Sequence, residues 1–269
     1  MSYNLDQDSR QRAITNFLPS KKSRLRFAAS MKDYTFTVLK EDLILVDDNL
    51  KPQQIIQMSL DRNIKHIIQN SKLPLAEKFL IIDAALKDPI NFLTFYTKIF
   101  TKDTIDLKFS FHSKENRTEL VNKIMLHLGL EQKNHNTEHI LKISEELIMN
   151  AQMHAPKIGD FKSPHNMGFL VEKKNDYVAL SVFDDYGSLN LNKFFNKILN
   201  TFSMGHASSI NYGLGGAGLG SSIIFDSAEV FYIGLLPKKI TRVTVLCPIK
   251  VRAKDREVEQ KSIHIIDSL

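Results

Sequence analysis

Glu146 and Asn150 stand four residues apart in the segment EHILKISEELIMNAQMHA, residues 138–155. Ile140, Ile143, Leu147 and Ala151 recur there at helical spacing, which predicts an amphipathic helix with one buried stripe. Side chains four apart share a helix face, so the carboxylate and the amide lie together beside that stripe. A carboxylate held there can act as general base. An amide oxygen one turn on can complete the shell of Mg²⁺, which takes oxygen ligands and keeps waters and substrate phosphates. The same spacing also occurs on solvated helix faces, and that alternative stays open.

A second acidic group follows a strand. Tyr177 to Phe183 is rich in β-branched and aromatic residues and runs into Asp184-Asp185-Tyr186-Gly187. The aspartate and glycine could close a turn, or a fixed carboxylate could accept a hydrogen bond from the exocyclic amine of adenine. Further on, Thr241 to Pro248 alternates as a half-buried strand with Thr241 at its start. By itself Thr241 is a β-propensity choice.

Six of the eleven glycines fall between Gly205 and Gly220. Backbone N–H groups freed by glycine and leading into a helix start form an anion site, and Ser221 to Phe225 has the apolar content of such a helix. Gly213-x-Gly215-x-x-Gly218 has dinucleotide spacing, but no strand precedes it, and Lys238 and Lys239 stand where the acidic partner is required. Gly215 to Gly220 has P-loop spacing, but Ser221 replaces the lysine. A ligand-free flexible loop is the plain alternative.

Taken in order, Glu146-x-x-x-Asn150, Asp185-x-Gly187, Gly216-x-Gly218-Leu219-Gly220 and Thr241-x-Val243 resemble the GHKL (histidine kinase-like ATPase) family of ATP-binding domains. The likeness covers residues 104–252. It implies that Glu146 orients or deprotonates the attacking group and that Asn150 binds Mg²⁺. It also implies that Asp185 reads the adenine amine with Thr241 in support, Gly187 letting the ring sit close. Gly216, Gly218, Leu219 and Gly220 would contact the phosphates of ATP through the backbone. The implied fold is α/β, an α+β sandwich in which helices cover one face of a mixed sheet, with a lid over the nucleotide.

Within the family the pattern is most similar to anti-sigma-factor serine kinases. Ile105 to Phe111 alternates as a strand, Glu115 to Leu130 reads as a helix before the asparagine-bearing helix, and Asn150-Ala151-Gln152-Met153-His154-Ala155 fits that branch. Two features depart from the pattern. Leu189 stands where a second glycine is expected. The lid is long, with Leu191, Phe194, Phe195, Ile198, Leu199 and Phe202 at helical spacing, and its only lysines are Lys193 and Lys197.

The resemblance implies a protein kinase that phosphorylates a partner on serine, the partner being sigma-factor-like or anti-anti-sigma-like, with a homodimer compatible. Two alternatives are a histidine-kinase catalytic module serving a separate phosphotransfer protein and a non-catalytic nucleotide-dependent switch. His66, His112, His127 and His135 lack the context of a phosphoacceptor, so the acceptor is expected on a partner. His154, His165 and Cys247 do not have zinc-ligand spacing. Asp47-Asp48 after a strand lacks the third aspartate and the lysine of a receiver domain.

The 269 residues carry a net charge of +6 and a pI near 9.2. The charge is spread out, its densest run being Lys21 to Arg26, and no aromatic residues interleave with it as a nucleic-acid platform requires. One cysteine suits a reducing cytoplasm. Neither a signal-peptide pattern nor a membrane-spanning apolar run is found. We expect a basic arm over 1–32, a small α/β domain over 33–103 with regulation as one reading of its role, the ATP-binding domain over 104–252, and a charged tail over 253–269 extending past the fold. In 33–103 the expected elements are strands at 35–39 and 43–46 and at His66, then helices at 53–60, 75–86 and 90–100.

Overall fold

The computed structural model describes residues 26–28, 43–46, 50–61, 65–69, 73, 77–78, 81–82, 84–85, 88–94, 96–100, 104–130, 137–154, 167–204, 219–250 and 261–267. The strand expected at 35–39, Lys21 to Arg24, Asp47 and Asp48, His135, His165 and the glycines from 205 to 218 lie outside these residues.

The described strands are β1 (Arg26–Ala28), β2 (Leu43–Val46), β3 (His66–Ile68), β4 (Ile105–Phe111), β5 (Met167–Lys174), β6 (Tyr177–Asp184), β7 (Val230–Leu236), β8 (Ile240–Pro248) and β9 (Ser262–Asp267). They form one sheet in the order β1-β2-β3-β9-β7-β8-β6-β5-β4. From β4 through β5, β6 and β8 to β7 every pairing is antiparallel. β9 is parallel to β7 and antiparallel to β3, and β1, β2 and β3 are parallel. The helices with described bounds are α1 (Pro52–Asp61), α2 (Pro89–Leu93), α3 (Arg117–Leu128), α4 (Glu138–His154), α5 (Leu191–Met204) and α6 (Leu219–Ser227), and residues 77–78, 81–82 and 84–85 are helical, within the helix expected over 75–86. The architecture is a mixed α/β fold of the α+β sandwich type.

Strand alternation sorts the core into two layers. Leu180, Val182, Phe231, Ile233, Val245, Ile263 and Ile265 face a cluster with Ile55 of α1, Ile124 of α3, Leu147 of α4, Phe195 of α5 and Phe225 of α6. Helices therefore cover this face, as expected. The opposite face is covered as well. Ala179, Val230, Tyr232, Leu246 and Ile266 pack against Leu73, Ile81, Ile82, Phe92, Leu93, Ile99 and Phe100.

Two buried charges fasten that second layer. Glu172 of β5 accepts the backbone N–H groups of Ile99 and Phe100 at 2.8 and 3.0 Å. Arg242 of β8, 1% exposed, donates to the carbonyl of Phe92 at 2.7 Å. Its guanidinium lies 5.0 and 4.8 Å from the ring centres of Phe92 and Phe183, a geometry in which the ring faces attract the cation. The helix expected over 90–100 consequently stops at Leu93. Thr94 is extended and Tyr96 takes a positive φ of 63°, so the next backbone donors reach Glu172 instead of helix carbonyls.

The C-terminal segment is a correction. Residues 262–267 do not extend past the fold but form β9, an inner strand between β3 and β7. Ile263, Ile265 and Ile266 are buried, and Lys261 donates to the carbonyls of Asp226 and Ala228 at the end of α6. A cation there complements the negative end of the helix dipole. Through β9 the strands of the 33–103 region join the same sheet as those of 104–252, so the boundary expected at 103/104 does not divide the sheet.

Candidate functional site

α4 forms where the stripe predicts it, with Ile140, Ile143, Leu147, Ile148 and Ala151 buried. It packs on β6 and α6, which holds Glu146 and Asn150, both half-buried, over one end of the sheet. Strand register defines that end. Phe111, Met167, Asp184, Thr241 and Leu235 are successive partners across β4, β5, β6, β8 and β7. β6 thus ends at Asp184 directly opposite Thr241, the second residue of β8.

The register decides which aspartate lies opposite Thr241; Asp185, just beyond the strand end, also has its Oδ1 buried. Val178, Leu180 and Val182 face the helices, so Asp184, two residues further, faces them too, while Asp185 has left the strand. Asp184 is 9% exposed and accepts the N–H groups of Tyr186 and Gly187 at 3.0 and 3.3 Å. Burial pushes its carboxyl up to about 6, against the pull of those N–H groups and of the Thr241 hydroxyl. The Thr241 hydroxyl is buried and makes no well-directed hydrogen bond. The residue opposite Thr241 is therefore Asp184 and not Asp185. The every-other-residue pattern of β6 was the signal that could have found it.

Gly220, in the first turn of α6, lies against the Glu146 carboxylate. A Cβ there would fall 1.8 Å from Glu146 Oε2, an oxygen that is buried and has no hydrogen-bond partner. Desolvation pushes the Glu146 carboxyl above its ordinary range, the charge of Arg117 opposes this, and Glu145 adds to it. A raised carboxyl pKa is what a general base working near neutrality needs. Arg117 opens α3, six residues after β4 ends in the row of Asp184.

The expected site residues are thus distributed as follows. Glu146 and Asn150 lie on α4, which packs on β6 and on α6, the helix that Leu219 and Gly220 open; Gly220 lies against Glu146, and Thr241 stands opposite Asp184 of β6. Gly216 and Gly218 lie outside the described residues. Gly187 has a backbone reason to be glycine. It takes φ +56°, and a Cβ would meet the carbonyl of Leu236 at 2.2 Å and the N of Lys239 at 2.6 Å. Its carbonyl also accepts the N–H of Lys238 at 3.1 Å. The β7–β8 hairpin fills that space.

The expected lid helix is α5, which packs on α1 and α6, with Phe194 stacked on Phe231 at 5.9 Å. Among the described residues no group of three or more His, Cys, Asp or Glu is placed to hold a metal ion, and no helix is long and apolar enough to cross a membrane. His66 is 1% exposed, out of reach of a phosphoryl donor. Neither the protein-family models nor the curated proteins compared with this chain gave a match.

Proposed function

We propose that this chain binds ATP together with Mg²⁺ at the end of the sheet where Asp184, Thr241, Glu146 and the start of α6 converge, and that it transfers the terminal phosphoryl group to a serine of a partner protein. The observation that carries the reading is the Asp184–Thr241 rung beneath α4 and α6, a buried carboxylate and hydroxyl side by side at a strand end. Asp184 would accept the exocyclic amine of adenine, with Thr241 beside it. The start of α6 would present N–H groups to the phosphates. Asn150 would offer a hard divalent cation an amide oxygen, and Glu146, with an oxygen that has no partner, is left free to act on a proton. When bound, the ion would neutralise phosphate charge. Glu146 would take the proton of the serine hydroxyl as its oxygen bonds to the terminal phosphorus, and the bond to the bridging oxygen of ADP breaks.

Support for a serine acceptor comes from the motif order. Support for a nucleotide comes from the convergence of elements. The test is calorimetric titration with a non-hydrolysable ATP analogue, with and without Mg²⁺, on the parent, Asp184→Asn and Asp185→Asn. A charged hydrogen bond is worth about 1.5–3 kcal/mol, so Asp184→Asn should weaken binding at least about tenfold, and Asp185→Asn far less. No Mg²⁺-dependent binding by the parent overturns the proposal. A partner phosphorylated in an acid-labile way would point to histidine in place of serine.

A further inference from the structure

β4 is an end strand of the sheet, paired with β5 over all seven of its residues and with no other strand among the described residues. An edge strand turns the N–H and C=O groups of alternate residues outward, where they can template one more strand. Strand alternation sorts its side chains. Ile105, Leu107, Phe109 and Phe111 lie on the side of α3 and α4, with Phe109 and Phe111 buried there, and Asp106, Lys108 and Ser110 lie on the other side. Ile105 is 60% exposed. Lys123 of α3 sits over the Phe109 ring at 4.7 Å. Leu126, three residues further and so on the same side of that helix, is 65% exposed. Lys98 holds Asp106 through Oδ1 at 2.8 Å, which leaves Oδ2 open. Lys108 is exposed and has no carboxylate partner among the described residues.

We propose that β4 is the seam of a homodimer, pairing antiparallel with β4 of a second copy about a two-fold axis through Leu107. An edge that invites another strand is commonly blocked by charge, lysine above all. Here the lysine stands two residues from an aspartate on the same face, so the charges block most partners and fit one. In a two-fold pairing residue i meets j and j meets i. The pairing that keeps both helical layers on one side of the joined sheet has a residue on the axis. An axis through Asp106 or Lys108 sets like charges opposite each other, and one through Phe109 sets Lys108 opposite Ser110. Within β4 only an axis through Leu107 sets Asp106 of each copy opposite Lys108 of the other, an attractive cross-strand pair made twice. The same register lays the exposed Ile105 beside Phe109 of the second copy. A second copy is therefore the occupant whose charges and apolar residues match along the strand. The proposal does not depend on nucleotide binding.

The experiment is sedimentation equilibrium of the full chain, parent against Lys108→Asp and the exchange Asp106→Lys/Lys108→Asp, with disulfide trapping of Leu107→Cys and Ile105→Cys. The parent should be a concentration-dependent dimer. Lys108→Asp turns two attractive pairs into two repulsive ones and should weaken dimerisation about tenfold or more, and the exchange should restore it. Residues directly opposite in an antiparallel pair have Cα atoms about 4.5–5.5 Å apart, within disulfide reach, so Leu107→Cys should give a covalent dimer under mild oxidation. Ile105→Cys should not, since its counterpart lies about 13 Å along the strand from the residue it faces. The native Cys247 is buried and does not compete. A parent that stays monomeric up to about 100 μM overturns the proposal. So does a dimer unmoved by Lys108→Asp, a loss that the exchange fails to restore, or a Leu107→Cys chain trapped no better than Ile105→Cys. The trapping result stands whatever Lys108→Asp does to folding.

Discussion

Asp184→Asn should make this protein more stable at pH 8, and the gain should disappear in acid. The Asp184 carboxyl titrates near 6 in the fold, against 3.8 as the ordinary value. The native state therefore binds more protons than the unfolded chain between those two values, and stability falls as pH rises through that window. At about 1.4 kcal/mol per pH unit, the interval amounts to about 3 kcal/mol of destabilisation, fully present above pH 6. Asparagine keeps the shape and an Oδ1 that can accept from Tyr186 and Gly187, but carries no charge. Its amide N–H₂ needs acceptors of its own, which returns about 1 kcal/mol of the gain.

The expected net effect is about 2 kcal/mol of added stability at pH 8, shrinking to less than about 0.5 kcal/mol near pH 4. Urea unfolding followed by circular dichroism at the two pH values reads it directly, with equal m values as the check that the unfolded state is unchanged. A variant no more stable than the parent at pH 8, or a gain of the same size at both pH values, would refute the electrostatic argument. A variant that is more stable yet fails to bind nucleotide would show a carboxylate kept for function at the expense of stability.

Two further outcomes test the frame around the site. Gly187→Ala should destabilise by about 3 kcal/mol or more, because both the φ of +56° and the hairpin backbone at 2.2 and 2.6 Å oppose a Cβ; a loss under about 1 kcal/mol in denaturant titration would show that the hairpin yields. His264 of β9 is wholly buried against Tyr232 and His66, with neither ring nitrogen hydrogen-bonded. Burial, then His66 and Lys78, hold its pKa well below 6.5. As pH falls below 6.5 the unfolded chain takes up a proton that the fold refuses, so this residue costs about 1.4 kcal/mol of stability per pH unit. His264→Phe should remove that loss between pH 7 and 5.5, and an equal acid loss in both proteins would sink the assignment.

Much of the site's frame could be read in the residues alone. The stripe of α4, the alternation of β4 and the spacing of α5 reflect elements with one buried and one wetter side, and such elements carry a period; β6 and β8 were legible from their β-branched content, although β8, read as half-buried, is covered on both faces. Strands buried on both sides carry no period. β5 and β7 are near-continuous apolar runs between layers, and β9 follows a charged stretch that hides it, so their places depended on what packs above and below. The second layer over 73–100 was equally hidden, since Arg242 and Glu172 look like surface charges until Phe92, Phe183 and the backbone of Ile99 and Phe100 enclose them. Local pattern thus determined the elements with a clear period or β-branched content and which residue types could do chemistry. Tertiary structure decided that Asp184 and not Asp185 stands opposite Thr241, and that Gly187 serves the hairpin. It also laid Gly220 against the Glu146 carboxylate. These depend on strand register and on contacts between residues far apart in the chain, and no short window of sequence carries that information.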